Sequence, residues 1–204
     1  MPNTCDSLQK SVDWCEGTPV LPGTRKRLYY INKKLIVQWP TLTKNSIGQA
    51  TNATYTGNFT LAEGAVWQFI DILPDKSTHT SEPQGEYPSM TQLNKLTVVH
   101  PGTGEDATVL ASAMNNSNNV FICETADGKF RVTGSEMYDI KCTVNQDLGQ
   151  GATGTASTTI NVEATDIIPA PFYTGEIETA DGTINEAPAN GGNGGNGGNG
   201  GNGN

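Results

Sequence analysis

The chain has 204 residues, a net charge of −9 and only 35% hydrophobic residues, which suits one domain with a modest core and argues against two. Five of its twelve basic residues, Arg25, Lys26, Arg27, Lys33 and Lys34, share one acid-free stretch, leaving seven against all 21 acidic residues elsewhere. An acidic surface of that kind argues against binding to a phosphate backbone, which needs clustered Lys and Arg, and the basic stretch reads as a solvated or subunit-facing strand.

Gly, Asn, Thr and Ser are plentiful, which favours short strands and many turns. No apolar run of eighteen residues exists, and MPNTCDSLQK lacks the basic and apolar regions of a secretory signal, so no membrane partner and cytosolic synthesis and assembly are expected.

In chain order, residues 1–23 read as an extended N-terminal arm, because "GTPVLPG" carries two prolines and two glycines that deny regular helix or central strand. A single β domain follows over 24–178. Leu28 and Tyr30 alternate with Tyr29 and Ile31, and Leu35, Val37 and Trp39 continue the period, predicting two strands around Asn32-Lys33-Lys34. "AVWQFIDIL" sets Trp67, Phe69 and Leu73 opposite Val66, Ile70 and Ile72, a strand buried on both sides. Residues 74–94, with three prolines and little apolar material, read as a long loop, and a loop of that length in a compact domain usually has a task.

After a short strand at "LTVV", Ala107, Leu110, Ala111 and Met114 recur at helical spacing and predict one α-helix over 104–115. Thr103 is its expected N-cap, Glu105 and Asp106 sit in its first turn and Asn115-Asn116 at its end. "NVFICETADGKFRVTGS" predicts a hairpin turning at Asp127-Gly128. Cys142 and Val144 share an inward face. In "TASTTINVEATD", Ala156, Thr158, Ile160, Val162 and Ala164 face inward, while Thr155, Ser157, Thr159, Asn161, Glu163 and Thr165 form a wet face. Residues 179–204 form a C-terminal extension closing in the Gly-rich repeat "GGNGGNGGNGGNGN", which buries nothing against the entropy of ordering and is expected on the outside of any assembly.

Catalytic chemistry finds little support. Gly149 to Gly154 spell GxGxxG, but the fingerprint needs a helix to begin at once and a Thr-rich strand follows instead. His79 and His100 lie in no metal or nucleophile motif, and Glu124 and Asp127 flank a turn as solvated acids. Cys5, Cys15, Cys123 and Cys142 have no metal spacing and read as buried thiols, with a Cys5–Cys15 bridge as the oxidising alternative. The Asn-x-Ser/Thr matches at Asn52, Asn58 and Asn115 are expected by chance in this composition. No catalytic residue, cofactor or metal is expected.

The order of helix, "ADGKFRVTGS" hairpin, glycine-rich loop, Thr-rich strand and "PAPFYTG", over about residues 97–177, resembles the C-terminal half of tail tube (major tail) proteins of long-tailed bacteriophages. "TPVLPGTRKRLYYI" resembles openings of structural proteins of phages infecting gut Bacteroidetes. The resemblance implies a β-sandwich or barrel-like subunit with a flanking helix, six to a ring, in rings stacked as a tube that conducts the genome. Its setting would be the virion tail, assembled in the host cytoplasm. Its partners would be copies of itself, terminator and baseplate or tip components, and DNA in transient passage.

Small β domains have edges that ring closure covers, and contacts that close a ring can repeat axially. On this reading the 74–94 loop, with His79, Glu82, Tyr87 and Met90, is the expected inter-ring contact. Glu163 is the candidate lumen residue, where negative potential would repel DNA. The alternative is a capsid decoration or fibre protein binding a shell or host glycan, and a small glycan-active enzyme is a weaker third.

Overall fold

Alternating side chains and glycine turns lay out fourteen strands and one α-helix in the computed structural model, which describes residues 10–185. The chain enters β1 (Thr24–Asn32), makes a 3-10 turn at Lys33–Leu35 and continues through β2 (Ile36–Gln38), β3 (Thr54–Tyr55), β4 (Thr60–Leu61) and β5 (Gln68–Asp71). A hairpin of β6 (Thr78–Gln84) and β7 (Thr91–Pro101) leads to α1 (Glu105–Asn115). There follow β8 (Asn119–Thr125), β9 (Phe130–Thr133), β10 (Lys141–Asp147), β11 (Ser157–Asp166), β12 (Phe172–Tyr173), β13 (Ile177–Thr179) and β14 (Gly182–Ile184). The fold is mainly β.

Two sheets dominate. One has the order β3-β12-β9-β8-β1-β5, the other β10-β11-β7-β6, and β2–β4 and β13–β14 form small ribbons. In the four-stranded sheet His79, Leu96, Val162 and Cys142 stand in one register row. His79 reaches Cys123 and Thr133 of the six-stranded sheet, so this row faces inward. Leu28, Phe121, Val98 and Ile160 complete that interface, all fully buried. The opposite face of the six-stranded sheet is apolar too, with Tyr29, Ile31, Val120, Ile122 and Val132 buried. A sheet covered on both sides explains why β8 reads as the unbroken apolar run Val120–Cys123 rather than an alternation. Phe59 organises an aromatic cluster, its centroid 5.2 Å from Trp39, 5.3 Å from Trp67 and 5.2 Å from Tyr173. Burying side chains of this size contributes about 1.5–3 kcal/mol each.

The predicted hairpin at Asp127-Gly128, the inward Cys142 and Val144, and the alternation of β11 all stand in the structure. So does the helix, which buries Ala107, Ala111 and Met114. Its N-cap is Gly104 rather than Thr103, and no side chain caps it.

Other expectations need correction. Residues 74–94 are not a loop: they hold a 3-10 turn, all of β6 and the start of β7. Pro74 begins the turn, where its missing N–H costs nothing, and Pro83 sits in an edge strand. Leu35 and Val37 are exposed, because β2 pairs with β4 and turns Ile36 inward instead. Only Gln68–Asp71 of "AVWQFIDIL" pairs as strand, with Phe69 half-buried beneath the Arg27 guanidinium at 4.0 Å. The domain runs past residue 178, since β14 pairs with β13 and Asn185 donates to the Gly175 carbonyl. Residues 10–23 of the arm are exposed and carry no strand. The Gly-rich repeat and Cys5 lie outside the described residues.

Candidate functional site

Period-two geometry gives the four-stranded sheet an outer face opposite its core. Thr78, Thr80 and Glu82 of β6, Lys95 and Thr97 of β7, Thr159, Asn161, Glu163 and Thr165 of β11 and Lys141, Thr143 and Asn145 of β10 all stand there. Leu93 and Val99 are its apolar members. Thr80, Lys95, Glu163 and Lys141 form one row across the sheet. Within and beside that row Lys95 pairs with Glu82, and Lys141 with Glu163 at 3.2 Å. The Glu82 contact holds the Lys95 ammonium above its ordinary pKa. Thr97 donates to Asn161 at 3.0 Å, and Gln84 donates to the Thr165 hydroxyl at 2.8 Å. Hydroxyls, amides and balanced charges therefore cover the face. Glu163 lies on it as its alternation predicts, but as half of an ion pair rather than a bare acid.

The two edges of this sheet differ. On β10, the Asn115 side chain of α1 accepts from the Val144 N–H at 2.7 Å and donates to the Val144 carbonyl at 3.1 Å, standing where a further strand would pair. On β6 the outer edge carries no partner strand among the described residues. Gly85–Met90 connects β6 to β7, and at this tip Tyr87 is 90% exposed and Met90 is exposed as well.

The four expected contact residues are thus separated. Tyr87 and Met90 occupy the tip, and Glu82 lies on the polar outer face. His79 is inside, with Nδ1 3.4 Å from Cys123 Sγ and Nε2 3.0 Å from Thr133 Oγ1. Burial first, and the Arg131 charge second, lower the His79 pKa to about 4. Burial likewise pushes the Cys123 thiol up to about 12. One residue that sequence reasoning missed is Asn94, wholly buried in β7. Its Oδ1 accepts from Ser81 Oγ at 2.6 Å and the Ala170 N–H at 2.9 Å, and its Nδ2 donates to the Ile168 carbonyl, fastening the segment after β11 to the sheet. The alternation that sets Asn94 in line with the inward Leu96 and Val98 was the available signal.

Other motifs take structural roles. Gly149–Gly154 closes the β10–β11 connection through a 3-10 turn at Gly151–Thr153, with no helix after it. A Cβ on Gly154 would stand 2.2 Å from the Gln150 nitrogen, so backbone closure demands that glycine. Glu124 pairs with Arg25 at 2.6 Å. Asp127 is held down to about 2 by hydrogen bonds from Thr125 and Lys129. His100 Nδ1 lies 2.7 Å from the Asp71 carbonyl. Asn52 and Asn58 bind backbone N–H groups at Thr54 and Glu176. Cys123 and Cys142 are buried, but Cys15 is exposed, against the expectation of buried thiols. A cleft of about 700 Å³ beside His79 is lined by Thr24, Lys129, Arg131 and Phe172. Among the described residues, no group of three His, Cys, Asp or Glu side chains converges to hold a metal ion. Comparison with known proteins yields no matching family model, curated protein or solved structure.

Proposed function

We propose that the chain is a structural subunit of a long-tailed bacteriophage tail tube, assembling into hexameric rings that stack into a conduit for the genome, and that it is not an enzyme. The observation that carries this reading is the outer face of the four-stranded sheet. Its ions are paired, and its remaining groups are mostly hydroxyls and amides. DNA sticks to surfaces with clustered unpaired cations, and a wall of this chemistry lets a polyanion pass without holding it. The open edge of β6 supports the ring, because a neighbouring subunit that covers it removes unpaired backbone groups from water. The exposed hairpin tip with Tyr87 and Met90 supplies an axial contact. Terminator and baseplate or tip proteins would meet the two ends of such a tube, placing the subunit in the virion tail.

Negative-stain electron microscopy of the purified protein tests the reading. Annular particles and stacked tubes are the expected result. A protein that stays monomeric or trimeric across the micromolar range overturns it and favours a decoration or fibre protein that assembles only on a shell.

A further inference from the structure

The arm and the far end of β1 carry complementary surfaces that the folded chain does not bring together. In the arm, Val12 is 91% and Trp14 67% exposed, and the acids Asp13 and Glu16 bracket Trp14 and Cys15. At the far end of β1, a groove of about 480 Å³ runs between α1 and the segment before β5, lined by Tyr30, Leu35, Val66, Leu110, Ala113 and Met114. A space of that size holds an indole, and such apolar clefts are the usual seats of aromatic anchors. Lys34, the chain neighbour of Leu35, is exposed and forms no salt bridge among the described residues.

The arm is tied down at two points outside the groove. The Gly23 carbonyl accepts from the Ala126 N–H beside the β8–β9 turn, and Lys10 Nζ donates to the Thr51 carbonyl at 3.2 Å. Seven residues along β1 separate Gly23 from Tyr30 at the groove, about 23 Å. Trp14 lies four residues from Lys10, no more than about 14 Å of backbone. Trp14 is exposed in the folded chain, so it does not fill the groove of its own subunit.

We propose that the groove between α1 and β1 receives the Trp14 segment of a second copy of this chain, with Asp13 and Glu16 meeting Lys34. Arm and groove are different surfaces of one subunit, so the proposed contact runs head-to-tail from copy to copy. Each copy then offers a free arm at one side and a free groove at the other, the arrangement that closes rings or propagates filaments. The inference rests on the self-assembly proposed above, but not on the tube form.

Cross-linking tests it in the full chain with Cys5→Ser, which leaves Cys15 as the exposed native thiol, and Ala113→Cys on the exposed side of α1. Mild oxidation at dilute concentration is expected to give a ladder of disulfide-linked dimers and higher species on non-reducing gels, abolished by adding Cys15→Ser. A disulfide formed only within monomers, or none at all, overturns the proposal. As a second readout, Trp14→Ala and Leu35→Asp, both at exposed positions, are each expected to weaken self-association by about tenfold or more in sedimentation, with circular dichroism unchanged. Unaltered association of both folded variants overturns it equally. Rings or tubes without cross-linking would remove the groove contact and leave the tube reading standing, whereas a ladder without rings would do the reverse.

Discussion

His79 and Asp166 both stand on the inner side of the four-stranded sheet, where water is withdrawn from each. Asp166 Oδ1 accepts from the Ile167 N–H at 2.7 Å, while its Oδ2 is buried without a partner among the described residues. Burial raises this carboxyl to about 6, against the lowering effects of that hydrogen bond and of Lys44, and it lowers His79 to about 4. Between about pH 4 and 6.5 the unfolded chain protonates His79 and the folded chain does not, so stability present above 6.5 is lost as pH falls. Asp166 behaves in the opposite sense. The folded chain holds its extra proton between about 3.8 and 6, so its stability is fully present below 3.8 and lost as pH rises through 6. The two slopes oppose each other over one window, each on the order of 3 kcal/mol at most. Relative to the parent, His79→Gln should therefore gain stability on acidification from pH 6.5 to 4.5, and Asp166→Asn should lose it. Urea midpoints at both pH values measure this, and slopes of the same sign in the two variants would refute the account.

At the scale of elements, Asn115 does for β10 what a neighbouring strand would do, and its removal leaves the Val144 N–H and carbonyl to water. Asn115→Ala should cost about 1 kcal/mol and speed hydrogen exchange at the Val144 amide, while amides deeper in β11 stay protected. Exchange at Val144 as slow as in the parent would show that the side chain seals nothing. That role was illegible in the sequence, where Asn115 marks only the end of a helical period. What was legible followed one-dimensional rules: the helical stripe of α1, the Asp-Gly turn, and the period of two in β11. Strand β6 escaped because its inward residues are His79 and Ser81 rather than aliphatics, so alternation carried no hydrophobic signal and three prolines argued for a loop. Leu35 and Val37 misled for the converse reason, since apolar alternation reports a strand but not which face its partner buries. The order β5-β1-β8 joins segments far apart in the chain, and no local pattern encodes it. Of the candidate site, the wet face with Glu163 was readable. Its ion pairs needed the register of β10 and β7 against β11.

Assembly belongs to the whole molecule, and there the change from loop to hairpin alters what a deletion can test. Excising residues 78–88 would remove β6 and take His79 from the core, so lost stacking would be indistinguishable from damage to the fold. The register offers a cleaner cut. Gln84 pairs with Thr91, leaving the six residues Gly85–Met90 outside the ladder. A two-residue Asn-Gly turn closes antiparallel strands between such a pair with the twist the strands already have. Replacing Gly85–Met90 by Asn-Gly should therefore preserve the β6–β7 register, His79 and the ion-paired outer face, and leave the thermal midpoint within a few degrees of the parent. It removes Tyr87 and Met90, the exposed apolar side chains of the tip. If the tip bridges successive rings and the sheet edges close each ring, the variant should form single annuli that no longer stack, seen as short particles in negative stain and a narrow sedimentation boundary. Full-length tubes from this variant would move the axial contact elsewhere. Loss of the annuli as well would place the tip within the ring.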